Sequence, residues 1–243
     1  MSCGKNSRWG LTMSKQASNL KSISAYTAPF LLYVLPTMVE SKNWLNLSYE
    51  FVCTLKGVLA VVALWVFRKY YPKFSFAGLK LSLVAGVVGF IVWIALDAMQ
   101  RAIPAVQYVT RLLLLGDRAE YNPFPDGELS GPAIAFVIVR LIELVVIVPL
   151  AEEIFWRGFL ARYLISEDFQ NVSHGTFTVF SFSVVTAAFA SVHPEFLSAI
   201  GWGMMINVLY ATTRNLWACV FMHSVTNGVL FGYIVWTGNW NLW

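Results

Sequence analysis

Glu152, Glu153 and Arg157 lie within one of the most apolar stretches of the chain, the segment VIVPLAEEIFWRGFLARYL. Ionisable groups at the depth of a lipid bilayer are costly unless they are paired or hydrated, so they usually mark a functional site. On a helix, Glu153 and Arg157 are four residues apart and can pair on one face. Glu152 is rotated by about 100° from that face. It therefore stays available as a general base, although a pair of interfacial glutamates beside a snorkelling arginine is the simpler alternative.

Two further apolar stretches each carry a histidine. The first holds Phe189 and His193 as F-x-x-x-H, and the second holds His223 and Asn227 as H-x-x-x-N. Pro194 follows His193 and should end its helix. The spacing of His223 and Asn227 puts an imidazole and a carboxamide on one helix face, where two convergent donors could form an oxyanion hole. The alternative for Asn227 is an ordinary hydrogen bond between helices.

Other polar residues in apolar stretches favour structural roles. Arg140 and Glu143 are three residues apart and are expected to pair with each other. Lys56 is expected to snorkel from near a helix end. Asn207 is interpreted as a link between helices that could also line a cavity, and His174 as a solvated loop residue.

The elements that position these residues belong to a membrane protein. Of the 243 residues, 58% are hydrophobic and only 12% are charged, whereas a soluble globular domain carries about 25% charged residues. The surface must therefore face lipid. Because each helix satisfies its own backbone polar groups, the composition predicts an all-α, polytopic transmembrane helical bundle. The modest net charge of +4 and the scattered basic residues give no surface for nucleic acid.

Apolar stretches of suitable length predict the spanning helices, since roughly 20 residues are needed to cross a bilayer. They are 25–39, 51–67, 78–99, 131–148, 150–165, 176–193, 195–213 and 216–236. Residues 1–24 are polar and basic without an apolar core, which predicts a cytoplasmic amino-terminal tail. Residues 25–243 then form one transmembrane helical domain, with the motifs at 150–230.

The number of spans depends on residues 131–165. If this segment crosses once, there are seven spans, and the basic residues gather on one side as the positive-inside rule requires. Glu152 would then lie near the inner face and His193 near the outer face, too far apart to share a site. A turn near Pro149 would give eight spans and bring both residues towards the inner face. Because a shared site is the stronger constraint, we expect about eight spans, with seven as the alternative.

Together the three motifs resemble the CPBP family of CAAX proteases and bacteriocin-processing enzymes, also called the abortive-infection family. The family pattern of E-E-x-x-x-R, F-x-x-x-H and H-x-x-x-N is met in that order over residues 152–227. The local sequence EEIFWRGFL is similar to the prokaryotic branch, which includes proteins called CAAX prenyl protease-related. The eukaryotic relatives are the type II CAAX prenyl endopeptidases.

The resemblance implies an eight-helix intramembrane endopeptidase of the glutamate type. Carried over to this sequence, Glu152 with His193 would activate the attacking water. His223 and Asn227 would stabilise the tetrahedral oxyanion. The supporting residues would be Glu153, Arg157 and Phe189.

The resemblance leaves metal dependence open, because family members have been described both ways. We expect no cofactor, since His223 and Asn227 serve well as a donor pair and a histidine that binds a metal cannot also donate from the same nitrogen. The alternative is a zinc site with Glu152, His193 and His223 as ligands and one open position.

The expected partners are the lipid bilayer and a peptide or protein substrate, with lipidated substrates suggested by the eukaryotic relatives. No nucleic acid is expected. We expect an integral protein of a prokaryotic plasma (inner) membrane with a cytoplasmic amino terminus. Two other functions stay open: a non-enzymatic membrane partner, such as a bacteriocin-immunity or scaffold protein, and a transporter that uses the polar residues as a proton relay. The intact motifs argue against the first, and the absence of inverted repeats argues against the second.

Overall fold

The computed structural model describes residues 6–40, 47–112, 120–125 and 127–243. Within these ranges the protein consists of helices and loops, without strands. The helices are α1 (Asn6–Glu40), α2 (Tyr49–Phe67), α3 (Leu79–Ala102), α4 (Pro104–Leu112), α5 (Gly131–Tyr163), α6 (Val179–Ala190), α7 (Phe196–Thr213) and α8 (Leu216–Thr237). The predicted all-α polytopic bundle is thus confirmed.

Polar side chains define where several of these helices begin. Ser48, Ser130, Thr178 and Asn215 each precede a helix and accept a hydrogen bond from a backbone N–H of its first turn. Such N-caps satisfy donors that have no partner inside the helix. The cap at Thr178 starts α6 three residues later than the apolar run beginning at 176 would indicate.

Five of the helices in the described ranges are long and apolar enough to cross a membrane: α2, α3, α5, α7 and α8. Helix α6 is apolar but has only 12 residues. Helix α1 has 35 residues, including two prolines. It begins at Asn6, so the described part of the predicted 1–24 tail is helical and continuous with the apolar stretch 25–39. The cytoplasmic location of that segment stays a prediction.

Helix α5 runs without interruption through Pro149, so the turn expected there is wrong. The helix contains two π-helical segments, Glu143–Ile147 and Ile154–Leu160. In the first, the Val148 N–H bonds the carbonyl five residues back. The next carbonyl in this register is that of Leu144, which would need an N–H that Pro149 lacks. The Asn227 side chain supplies this hydrogen bond instead, from Nδ2 to the Leu144 oxygen at 2.8 Å.

A single crossing of α5 does not separate the motifs, contrary to expectation. Glu152 lies about 16 Å along the helix from its end at Tyr163, because each residue adds about 1.5 Å. Glu152 is therefore well inside the bundle. Helix α6 ends at Ala190, ahead of Pro194, and His193 just beyond it lines the same internal cavity as Glu152. The two residues can meet without a turn at Pro149.

Three loops that carry or adjoin basic residues lie at one end of the bundle. Asn215 donates to the Ala77 carbonyl at 2.7 Å, and Trp217 donates from Nε1 to the Lys73 carbonyl at 2.9 Å. Arg162 donates to the Val172 carbonyl at 2.8 Å, and His174 Nδ1 lies 2.7 Å from the hydroxyl of Tyr210, near the end of α7. These contacts join loops 68–78, 164–178 and 214–215 into one face, called here the basic end. Arg162 and Arg214 therefore share a side with Lys69 and Lys73, as the single-crossing interpretation required.

Candidate active site

A cavity of about 230 Å³ lies inside the bundle. A site for one water needs only about 10–15 Å³ on this measure, so the cavity has room for several waters or a short peptide segment. Its walls are mostly apolar. The motif residues that line it are Glu152, Phe189, His193, His223 and Asn227. The three separate motifs therefore converge on one space.

Glu153 sits at the centre of a fully buried ion-pair network. Arg157 donates from Nη1 to both oxygens of Glu153 at 3.1 Å, and both side chains are completely inaccessible. His223 Nδ1 lies 2.8 Å from Glu153 Oε1. Because a carboxylate held by an arginine accepts hydrogen bonds, His223 carries its proton on Nδ1 and presents Nε2 as its other nitrogen. The predicted Glu153–Arg157 pair is thus present, and it also orients His223.

Arg157 is fixed by further contacts from α6 and α7. Its Nε donates to Asn207 Oδ1 at 3.0 Å, and Asn207 Nδ2 donates to Thr186 Oγ1 at 3.0 Å. The Arg157 carbonyl, in the second π-helical segment, accepts a hydrogen bond from Tyr210 at 2.9 Å. Asn207 does link helices as predicted, but its functional importance as the anchor of Arg157 could not be recognised from its surroundings in the sequence.

Glu152 faces the cavity from a different face of α5, rotated by about 100° from Glu153. It is 8% exposed, and its Oε2 atom is buried without a hydrogen-bond partner. Burying a carboxylate oxygen without a hydrogen-bond partner destabilises a protein. The position of Oε2 therefore favours a functional role for Glu152. The rotation predicted between the two neighbouring glutamates is therefore present, with Glu153 engaged and Glu152 directed to the cavity.

His193 folds back onto the end of α6. Its Nδ1 lies 2.7 Å from the Phe189 carbonyl oxygen, and its ring lies 4.3 Å from that of Phe189, centre to centre. A carbonyl can only accept, so Nδ1 of His193 is the donor in this hydrogen bond. Phe189 therefore supports His193 with both its backbone and its side chain.

Trp202 packs against His223 and is itself held by Thr226. Neither residue belongs to one of the three motifs in the sequence. The rings of Trp202 and His223 lie 4.7 Å apart. Trp202 Nε1 donates to Thr226 Oγ1 at 3.1 Å, and Thr226 donates to the Gly86 carbonyl at 2.9 Å. The signal in the sequence that could have identified Thr226 is its position directly before Asn227.

Two predictions from the sequence are wrong, and one further cavity residue carried no prediction. Lys56 does not snorkel to an interface, because it is 4% exposed and lines the cavity. His174 is partly buried, and its Nδ1 lies 2.7 Å from the Tyr210 hydroxyl. Glu195, which was not considered, is buried and also lines the cavity.

The expectation of no cofactor and the zinc alternative both stay predictions. Across the part of the chain that the structure describes, no group of three His, Cys, Asp or Glu residues could hold a metal ion. Glu152, His193 and His223 share a cavity without forming such a group.

The fold and cavity define an integral membrane protein with a buried carboxylate–histidine site. Residues 134–229 match the family described as type II CAAX prenyl endopeptidase Rce1-like, and this segment is thus an Rce1-like domain of the CAAX protease family. The match includes every motif residue from Glu152 to Asn227. It supports, in general terms, an intramembrane endopeptidase of CAAX-protease type that acts on protein substrates. No curated protein and no solved structure matched the chain.

Proposed function

We propose that the protein hydrolyses a peptide bond of a membrane-associated protein inside the cavity, with Glu152 as the general base. The observation that carries the proposal is the buried Glu152 oxygen without a hydrogen-bond partner in a cavity shared with two histidines. Neither a scaffold nor a structural ion pair requires that arrangement. The Rce1-like match supports the same class of reaction.

In the proposed reaction, Glu152 removes a proton from a water molecule that His193 Nε2 helps to orient. The water oxygen attacks the peptide carbonyl and forms a tetrahedral oxyanion. His223, in its charged form with an N–H at Nε2, and Asn227 donate hydrogen bonds to that oxyanion. Glu152 then returns the proton to the nitrogen as the C–N bond breaks, which releases a new amine and a new carboxylate.

Asn227 can take part while keeping its helix contact. Its amide group carries two N–H donors, and one of them binds the Leu144 carbonyl. The second hydrogen is the donor assigned to the oxyanion. His223 is held through Nδ1 by Glu153. The N–H at its Nε2 is the other donor assigned to the oxyanion.

The reaction needs no metal in this proposal. Cleavage should therefore persist after the protein is treated with a strong zinc chelator and transferred to chelator-free buffer, whether or not zinc is then added. Activity that disappears and returns only with zinc would contradict a metal-independent reaction.

The experiment uses the full chain in lipid nanodiscs and an acylated peptide library with mixed residues in its last six positions. New amino termini are identified by mass spectrometry. We expect cleavage by the wild type and by Glu167→Gln, whose side chain is exposed in a loop, and none by Glu152→Ala. Equal cleavage by wild type and Glu152→Ala would remove the proposed function.

A further inference from the structure

The turn that carries His193 lies between α6 and α7, over residues 191–195. Its first half is held by α6, because the His193 N–H donates to the Ala190 carbonyl at 3.2 Å and the ring bonds the Phe189 carbonyl. Pro194 follows without a backbone N–H, so the second half of the turn cannot continue this pattern. The position of His193 in the cavity therefore depends on what holds the chain from Pro194 to the start of α7.

Gln100, in the last turn of α3, holds this second half through both ends of its side-chain amide. Its Nε2 donates to the Pro194 carbonyl at 2.9 Å, and its Oε1 accepts the Leu197 N–H at 2.9 Å. An amide that donates and accepts at once fixes two points of the chain, three residues apart, against a third helix. The turn is thereby tied to α3, which lies outside the segment 134–229 that carries the family match.

The contact with Leu197 also takes the place of a helix cap. The N–H groups in the first turn of a helix have no partner inside the helix. Glu195 occupies the N-cap position of α7, but its side chain makes no capping hydrogen bond. It is buried and lines the cavity instead. Gln100 supplies an acceptor for the first turn in its place, so Glu195 and His193 can both face the cavity.

A second contact joins α3 to the start of α7. Ser198, which is fully buried, donates to the Trp93 carbonyl at 2.7 Å. The Trp93 ring lines the cavity and lies edge-on to the His193 ring, 5.9 Å from centre to centre. Trp93 and Gln100 are seven residues apart, a spacing that places them on one face of α3. This face thus supplies both a neighbour of the His193 ring and the anchor of its turn.

We propose that Gln100 is a positioning residue of the active site, which fixes His193 in the cavity by anchoring Pro194 and Leu197. The inference rests on the proposed function, in which His193 orients the water that Glu152 activates. Gln100 does not itself line the cavity, so it acts through His193 and not on the substrate. A displacement of about 1 Å in an active site can reduce the rate by about 100-fold. Loss of the anchor should therefore slow the reaction without weakening substrate binding.

Cleavage kinetics in nanodiscs test the inference with variants of Gln100. Gln100→Met removes both hydrogen bonds and should lower kcat by about 10- to 100-fold, with a KM close to that of the wild type. Gln100→Glu keeps an oxygen for the Leu197 N–H but loses the donor to the Pro194 carbonyl, so its kcat should lie between the two. The matched control is Gln107→Met, because Gln107 donates to the Arg101 carbonyl at the same end of α3. Its kcat should equal that of the wild type.

A histidine spectrum tests the positioning without any cleavage assay. The chain has three histidines, so protein with isotope-labelled histidine rings gives three ring signals, which are assigned by replacing each histidine with glutamine. Because the His193 ring lies 4.3 Å from that of Phe189, its chemical shift depends on where the ring is held. Gln100→Met should move the His193 signal and leave the other two in place, whereas Gln107→Met should move none.

The two measurements separate this inference from the proposed function. An unmoved His193 signal in Gln100→Met would overturn the inference, and so would equal movement of all three signals, which indicates a general loosening of the bundle. The inference would also be wrong if kcat stayed at the wild-type level in Gln100→Met, or fell equally in Gln107→Met. If the His193 signal moves alone but the wild type cleaves no peptide, the placement of His193 by Gln100 stands and only the proposed function is removed.

Discussion

Two neighbouring glutamates have different surroundings in this protein. Glu153 is bonded by Arg157 and His223, whereas Glu152 keeps an oxygen without a partner in the cavity. The difference arises from the helix itself, because adjacent residues point about 100° apart. One carboxylate can thus hold the site together while the other is left for chemistry.

Replacing each glutamate by glutamine should affect the stability of the protein to different extents. Glu153→Gln leaves the buried Arg157 charge without its counter-charge, so the free energy of unfolding should fall by about 3–5 kcal/mol. Glu152→Gln removes no hydrogen bond at the unpartnered Oε2 and should leave stability close to that of the wild type. Thermal unfolding of both variants in the same nanodiscs measures this. A larger loss for Glu152→Gln than for Glu153→Gln would contradict the assigned roles.

His174 should give the basic-end loop a pH-dependent stability. Burial, with a contribution from the positive charge of Arg162, lowers the pKa of His174 from 6.5 to about 4. Between these pH values the unfolded chain binds more protons than the folded protein, so stability is complete above pH 6.5 and falls as the pH drops towards 4.

The unfolding temperature of the wild type should therefore decrease more between pH 7 and pH 5 than that of His174→Gln, in which position 174 cannot titrate. Identical decreases in the two proteins would show that burial of His174 does not govern the acid sensitivity.

Sequence spacing predicted the local pairs but not the distant ones. The Glu153–Arg157 and Arg140–Glu143 pairs are three or four residues apart on one helix, so helical geometry alone defines them. The contact between Asn207 and Arg157, and the position of Lys56 in the cavity, depend on how separate helices pack. Residues so far apart in the chain carry no local signal of their contact.

At the scale of elements, α5 shows why the expected turn at Pro149 is wrong. The turn was expected because it would bring Glu152 and His193 to the same side of the membrane. The helix continues because its first π-helical segment shifts the register, and Asn227 from α8 bonds the Leu144 carbonyl that Pro149 leaves without a partner. A π-helical segment is invisible in the sequence but often occurs at functional sites.

A double-mutant cycle can separate the structural and catalytic roles of Asn227. Asn227→Ala leaves the Leu144 carbonyl without its donor and should reduce stability by about 1–3 kcal/mol. In a Pro149→Ala background the restored N–H can take over, so the stability loss should shrink by about 1 kcal/mol.

The loss of cleavage caused by Asn227→Ala should be the same in both backgrounds, because the oxyanion contact does not depend on Pro149. Recovery of activity in Pro149→Ala/Asn227→Ala would show that Asn227 acts through the helix alone.

At the scale of the whole molecule, the basic end predicts the orientation in the membrane. Loops 68–78, 164–178 and 214–215 share this end, and positively charged loops tend to stay in the cytoplasm. The opposite end includes Tyr121, whose ring lies 4.3 Å from that of Tyr49.

Single-cysteine labelling tests this orientation in intact cells. Cys53 and Cys219 are buried, so a Cys3→Ser background should react weakly with a membrane-impermeant maleimide. Glu128→Cys should then be labelled from outside, and Glu167→Cys should be labelled only after the membrane is opened. The reverse pattern would place the amino terminus outside the cytoplasm.

The overall architecture followed from composition, because a chain with so few charged residues has to form helices in lipid. The convergence of the motifs did not follow from composition. It was assumed in order to count spans, and the assumption of a shared cavity was right although the turn used to achieve it was wrong. Whether Glu152 and His193 can lie close together when α5 crosses once depends on where α6 ends. The sequence does not define that point.

The central claim is that Glu152 performs proton transfer in a cavity shared with His193, His223 and Asn227. Its most direct test is the ratio of peptide cleavage rates for wild type and Glu152→Gln, measured in nanodiscs at equal amounts of folded protein. Loss of a general base should reduce the rate by about 10²–10⁴-fold. A ratio near one, with the variant as stable as the wild type, would contradict the claim.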